Sequence, residues 1–161
     1  MAYRVAIVDD SNIDAEYVQS IVNAWARERQ AGVQTQRFAS AENFLFHYAE
    51  DKEWDILLLD IEMGAMDGIS LAKRIRQDNE TVQIVFVTGF GDYISEGYEV
   101  SALHYLMKPV KQEKLFAVIA GKSLAQRYGT ATASTVGPFG DVMPSTKVVT
   151  PATLPTFTKM T

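Results

Sequence analysis

The 161-residue chain contains no cysteine, which excludes disulfides, thiolate metal sites and cysteine nucleophiles. Its two histidines, His47 and His104, lie far apart in the sequence, so a histidine-based metal site is not expected. No apolar run approaches the roughly 18 residues of a membrane span. No secretory signal is visible, because a strand pattern follows almost directly after Met1. We therefore expect a cytoplasmic protein that makes no contact with a membrane.

The chain also lacks an excess of basic residues. It has 15 Lys and Arg against 20 Asp and Glu, a formal net charge of −5. Nucleic-acid binding depends heavily on cationic side chains that neutralise phosphates, so we expect no direct nucleic-acid binding by this chain. Apolar residues make up 47 % of the sequence, enough for the core of one ordinary domain.

The first 128 residues alternate between strand and helix patterns. We predict strands over about 3–8, 33–38, 54–59, 82–87 and 102–107, and helices over about 12–30, 41–48, 68–77, 93–99 and 111–128. Five βα units with short connections imply a parallel sheet that is covered by helices on both faces. The fold class is α/β, a flavodoxin-like (βα)5 doubly wound sheet with strand order 2-1-3-4-5.

The first helix has the clearest local signals. Ser11 is the predicted N-cap, and Asp14 three residues later makes the segment similar to a capping box. Gly32 is predicted to end the helix. Helical spacing assigns its apolar stripe to Ile13, Tyr17, Ile21 and Trp25, with Val18 and Val22 alongside.

The composition changes after Tyr128. Nine of residues 129–161 are Thr and four are Pro. We predict that residues 1–128 form the folded domain and that residues 129–161 form a Thr/Pro-rich tail, flexible or loosely docked, which is not a recognisable effector domain.

Acidic residues follow two of the predicted strands. Asp9 and Asp10 end the first strand, and Asp60 ends the apolar run 56–59. The carboxyl ends of neighbouring parallel strands meet at one edge, where α/β sheets bind ligands. Crowded carboxylates repel one another, and a bound Mg²⁺ would let all of them ionise. The predicted magnesium ligands are Asp10 and Asp60 directly, Asp9 through water, and the backbone carbonyl of Glu62.

Other strand ends carry groups that suit phosphoryl chemistry. An ionised carboxylate beside Mg²⁺ can attack a phosphoryl group, which makes Asp60 the candidate nucleophile. Lys108 would add a positive charge against the phosphoryl oxygens, and Thr88 could donate its hydroxyl to one of them. Gly89 leaves room for the group. Each residue alone could be a cap or turn residue, and the ordered set at successive strand ends is what indicates a site.

Over about residues 3–127 the chain resembles the receiver domains of response regulators in two-component signalling. The motifs that carry the resemblance are Val8-Asp9-Asp10, Asp60 followed by Met66-Asp67-Gly68, Val87-Thr88-Gly89, and Tyr105-Leu106-Met107-Lys108-Pro109. The segment 98–110 is similar to receivers of LytTR-type transcriptional regulators. One departure is Gly64, where the family commonly has proline.

The resemblance implies a role for each matching residue. Asp60 would be the phosphoacceptor, phosphorylated by a sensor histidine kinase with Mg²⁺ as the cofactor. Asp9 and Asp10 would be the acidic pair of the metal site. Thr88 would be the switch hydroxyl and Tyr105 the aromatic switch.

Lys108 would contact the phosphoryl group, and the resemblance implies a cis peptide bond between Lys108 and Pro109. Such a domain is a signalling switch that assists its own phosphotransfer and dephosphorylation, and it is not an enzyme. The implied output is transcription, through a DNA-binding domain absent from this chain. A homodimer through the fourth predicted helix and the last helix is a further expectation of the family.

Alternative functions stay open at this point. A stand-alone receiver would act through protein–protein contacts alone. An aspartyl-phosphate-type phosphatase needs a second aspartate two residues after the nucleophile, where this chain has Glu62. A flavin-binding flavodoxin is disfavoured because the loop after the first strand is acidic where a phosphate would bind.

Overall fold

The computed structural model describes residues 2–89 and 104–128, the last seven by their backbone alone. Five parallel strands form one sheet in the order β2-β1-β3-β4-β5, which confirms the predicted topology. The strands are β1 (Ala2–Val8), β2 (Gly32–Phe38), β3 (Ile56–Leu59), β4 (Gln83–Thr88) and β5 (His104–Met107). The described helices are α1 (Asn12–Arg29), α2 (Ala41–Tyr48), α3 (Gly68–Arg76) and α4 (Gln112–Tyr128).

Helices cover both faces of the sheet, as the sequence predicts. All four residues of β3 are buried, and their side chains alternate between the two faces. Leu57 and Leu59 belong to one core cluster, together with Phe44 of α2 and Leu71 of α3. The opposite face has its own cluster, in which strand residues pack against α1 and α4; its members include Ile56, Leu58, Val22, Trp25, Leu115 and Ile119. A central strand buried on both faces is typical of a doubly wound sheet.

Helix α1 departs from the sequence prediction at its C-terminal end and in the face that it buries. Gly32 does not end the helix, because the left-handed C-cap position is taken by Gln30, with φ of 53°, and Gly32 begins β2. Ile13 and Tyr17 do not belong to the buried stripe, since they are 78 % and 47 % exposed. The buried face consists of Ala15, Val18, Ile21, Val22 and Trp25. The helical pattern alone could not distinguish this face from the adjacent one, because apolar residues occupy both.

Two predictions lie outside the described residues. They are the helix over 93–99 and the tail over 129–161. Within the described part, no helix is both long enough and apolar enough to cross a membrane.

Gly68 allows α3 to begin directly against the end of β3. Its backbone N–H donates to the carbonyl of Ile61 at 2.8 Å, and Asp67 caps the helix by accepting a bond from the Ser70 N–H at 2.7 Å. A Cβ atom at position 68 would overlap the backbone carbonyl oxygen of Asp60. Glycine is therefore required here by close backbone approach.

The substitution Gly68→Ala is expected to lower the free energy of unfolding by about 1–3 kcal/mol, because backbone atoms must move to admit the methyl group. Urea unfolding measures this change. The matched control is Gly64→Ala in the same loop, since a Cβ there would meet nothing within 4 Å. Equal unfolding midpoints for the two variants would contradict the close approach at Gly68.

Candidate functional site

The pairing of β1 with β3 places Asp9 beside Asp60. Val8 is in register with Leu59, and the ladder continues past the strands, where the Asp60 N–H donates to the Val8 carbonyl at 2.9 Å. Asp9 and Asp60 are buried, whereas Asp10 is exposed. Carboxylate oxygens of the three residues lie within 4.8 Å of one another. The structure thus brings together the three aspartates that the sequence singled out.

Lys108 reaches the same cluster from the end of β5. Its backbone N–H donates to the Thr88 carbonyl at 2.8 Å, and its peptide bond to Pro109 is cis, as the resemblance implied. The Lys108 ammonium donates to Asp9 Oδ2 at 2.9 Å, and its Nζ lies 3.5 Å from Asp60 Oδ2. One cation therefore contacts two of the three clustered carboxylates.

Asp60 ionises less readily than an ordinary aspartate. Burial, helped by the negative charge of Asp9, raises the pKa of Asp60 from 3.8 to about 6. The charge of Lys108, a hydrogen bond from the Thr88 side chain and a 2.8 Å bond from the Ile61 N–H to Oδ1 act in the opposite direction. Burial and the charge of Asp9 therefore disfavour the ionised carboxylate, and Lys108 offsets these effects only in part.

The aspartate cluster suits a hard divalent cation. Its donors are all carboxylate oxygens, which Mg²⁺ prefers, and an added cation would favour the ionised form of Asp60, which burial and the charge of Asp9 disfavour. Both Asp9 oxygens already have partners, the Ser11 N–H at 2.8 Å and Lys108. This geometry is compatible with the prediction that Asp9 contacts the metal through water. The predicted carbonyl ligand belongs to Glu62, an exposed residue two positions after Asp60.

The two predicted switch residues lie on neighbouring strands. Thr88, at the end of β4, has no exposed surface, and Tyr105 of β5 is also buried. Tyr105 is in register with Phe86, and the two rings lie 6.1 Å apart between centroids. The Thr88 side chain hydrogen-bonds to Asp60, the phosphoacceptor candidate, while Tyr105 lies further back along the sheet.

Asp14 is a site residue that the sequence analysis missed. Ser11 does cap α1, accepting a bond from the Asp14 N–H at 3.3 Å. The Asp14 carboxylate does not accept the Ser11 backbone N–H, as it would in a capping box, and it accepts a 2.8 Å bond from Lys108 Nζ. The Ser11 N–H donates to Asp9 instead. The sequence did contain a signal for this role. Asp14 is an acidic residue in the first turn of the helix that follows β1, and that turn starts at the carboxyl edge of the sheet, where the site lies.

The contact between Asp14 and Lys108 changes the pKa values of both groups. Burial lowers the pKa of Lys108, but the hydrogen bonds to Asp14 and Asp9 and the charge of Asp60 outweigh it, so that the pKa lies above its ordinary value. The same contact is the main reason why the pKa of Asp14 lies below its ordinary value. Both groups are therefore charged throughout the neutral pH range.

Known proteins with similar sequences include a transcriptional regulatory protein and a sensory transduction protein. Transcriptional regulatory protein NatR of Bacillus subtilis is 31 % identical over 114 residues, which cover 71 % of this chain and 47 % of that protein. Sensory transduction protein LytT of the same species is 30 % identical over 114 residues, covering 70 % of this chain and 44 % of LytT. The chain therefore spans about half the length of these curated relatives or less. The predicted resemblance to LytTR-type receivers is confirmed.

A solved structure shows the same fold. The response regulatory domain of mrkE from Klebsiella pneumoniae superposes with a TM-score of 0.69 at 22 % identity, covering 77 % of this chain and 98 % of that domain. The family model described as the response regulator receiver domain matches residues 5–120. Since this match covers well over half of the chain and includes the aspartate cluster, the chain belongs to the family of response regulator receiver domains.

Proposed function

We propose that the domain is a phosphorylation switch in which Asp60 accepts a phosphoryl group from a sensor histidine kinase. The observation that carries the proposal is the position of Asp60, a buried carboxylate at the sheet edge with Asp9, Asp10, Thr88 and Lys108 around it. Negative charge is concentrated there, and a cation and a hydroxyl donor adjoin it. That combination suits transfer of an anionic group to a carboxylate.

The transfer is a single displacement at phosphorus. A carboxylate oxygen of Asp60 forms the new bond, and the bond between phosphorus and the donor atom breaks with its electron pair leaving on the donor. A phosphohistidine leaves as neutral imidazole when its other ring nitrogen carries a proton, and acetyl phosphate leaves as acetate. The Lys108 ammonium and the Thr88 hydroxyl would each donate to an oxygen of the transferred group.

The cofactor proposed for this step is Mg²⁺. When bound, it supplies positive charge that neutralises the phosphoryl oxygens and keeps the neighbouring carboxylates ionised. Asp10 and Asp60 would hold it directly and Asp9 through water, with the Glu62 carbonyl as a further ligand. The oxygen-only donor set and the raised pKa of Asp60 support this assignment.

The proposed readout is a conformational change that begins at Thr88. A phosphoryl group on Asp60 adds acceptor oxygens beside the Thr88 hydroxyl, and movement of that side chain would alter the packing around Tyr105. We propose that the output is transcription through a DNA-binding domain outside this chain, since similar proteins include a transcriptional regulatory protein. A homodimer and the division into a receiver over 1–128 and a tail remain predictions.

Incubation with acetyl phosphate and Mg²⁺ is expected to add the mass of one phosphoryl group to the native protein and none to Asp60→Asn. Intact-mass spectrometry measures the gain. The matched control is Asp67→Asn, which removes a carboxylate from the adjoining loop while keeping a good helix cap. Loss of the gain in the control, or its persistence in Asp60→Asn, would contradict Asp60 as the acceptor.

Without added metal, Asp60→Asn is expected to be more stable than the native protein at pH 7 to 8. The folded protein holds the Asp60 proton up to about pH 6, whereas the unfolded chain releases it near 3.8. The native protein therefore loses stability as the pH rises through this range, and full ionisation costs about 1–2 kcal/mol at a partly solvated edge.

Urea unfolding between pH 4 and 8 tests this expectation. The stability advantage of Asp60→Asn should disappear as the pH falls toward about 4, where the unfolded chain also holds the proton. Addition of Mg²⁺ should stabilise the native protein at pH 8 more than at pH 5, because metal binding favours the ionised carboxylates. A stability difference that does not change with pH would refute the raised pKa.

A further inference from the structure

The contact between Asp14 and Lys108 joins α1 to the end of β5 across the phosphorylation site. Asp14 Oδ2 lies 2.8 Å from Lys108 Nζ, and the two residues are 94 positions apart in the sequence. The Lys108 side chain is 18 % exposed and that of Asp14 is 44 % exposed. An ion pair in this position restricts the movement of the Lys108 ammonium.

Three carboxylates compete for this one ammonium. The hydrogen bonds to Asp14 and Asp9, at 2.8 and 2.9 Å, are of normal length, whereas Asp60 Oδ2 at 3.5 Å is too far for one. Lys108 is thus bound more closely by the two neighbours than by the proposed phosphoacceptor. In the phosphorylated protein, the Lys108 ammonium would have to donate hydrogen bonds to the phosphoryl oxygens on Asp60.

The three partners of Lys108 are not equivalent. Asp9 and Asp60 belong to the proposed metal site, where an added cation would compete with the ammonium for their charge. Asp14 lies outside that cluster, in the first turn of α1. Its attraction for Lys108 would therefore persist when the metal site is filled.

We propose that Asp14 is a positioning residue that restrains Lys108 in the unphosphorylated protein and so slows phosphorylation of Asp60. This inference rests on the proposed phosphotransfer to Asp60. During the transfer, as the donor bond breaks and the Asp60–phosphorus bond forms, the ammonium moves toward the phosphoryl oxygens. Breaking its bond to Asp14 is part of the cost of that movement.

The neutral variant Asp14→Asn is expected to react with acetyl phosphate about fivefold faster than the native protein, the effect of one partly exposed ion pair. The measurement is the pseudo-first-order rate constant for appearance of phosphorylated protein by intact mass, at fixed Mg²⁺. Asp14→Glu keeps the charge and is expected to react at close to the native rate.

The matched control is Glu16→Gln, which removes one negative charge from the same helix at an exposed position two residues away. It should react like the native protein, because the proposed effect depends on contact with Lys108 and not on net charge. An equal acceleration in Glu16→Gln, or an unchanged or slower rate in Asp14→Asn, would overturn the proposal.

A double-mutant cycle of folding stability tests the ion pair without any phosphoryl donor. Asp14→Asn should be destabilising when Lys108 is present and stabilising beside Lys108→Met, where it relieves repulsion among the remaining carboxylates. A zero coupling between the two changes would overturn the proposal.

If the native protein itself gains no phosphoryl group, the proposed function fails and the inference fails with it. A native protein that is phosphorylated at the same rate as Asp14→Asn refutes the inference alone.

Discussion

The ammonium group of Lys108 lies among three carboxylates at the carboxyl edge of the sheet. It donates to Asp9 and Asp14 and approaches Asp60 to 3.5 Å. Burial raises the pKa of Asp60, the negative charge of Asp9 adds to that effect, and the single positive charge of Lys108 offsets it only in part. The excess of carboxylates over cations at this site favours binding of a divalent cation. Without that cation, the same carboxylates would repel an incoming anionic group.

The arrangement of charges depends on strand register and on close backbone contacts. Asp60 continues the hydrogen-bond ladder to Val8, and the backbone of Lys108 is bound to the carbonyl of Thr88. Gly68 brings the start of α3 against the carbonyl of Asp60. Because register moves in steps of one residue and reverses side-chain direction, a slip in any of these strands would separate the acidic groups. The packed core on both faces maintains this register.

Much of the fold and the site could be predicted from local chemistry. The continuous apolar run 56–59 indicated a strand buried on two faces, and Ser11 was correctly identified as a helix cap. The clustering of Asp9, Asp10 and Asp60 followed from strand order alone. In each case the property depends on neighbouring residues or on the parallel topology, both of which can be inferred from sequence periodicity.

The sequence by itself determined the βα alternation, the strand order and the set of acidic, hydroxyl and basic groups at the strand ends, because periodicity and residue type carry that information. Only the tertiary structure decided that Gln30 ends α1, that Ile13 faces solvent, and that Asp14 pairs with Lys108. These outcomes depend on how α1 is rotated against the sheet. That rotation is determined by packing among residues distant in sequence, and the helical pattern permits more than one apolar face to be buried.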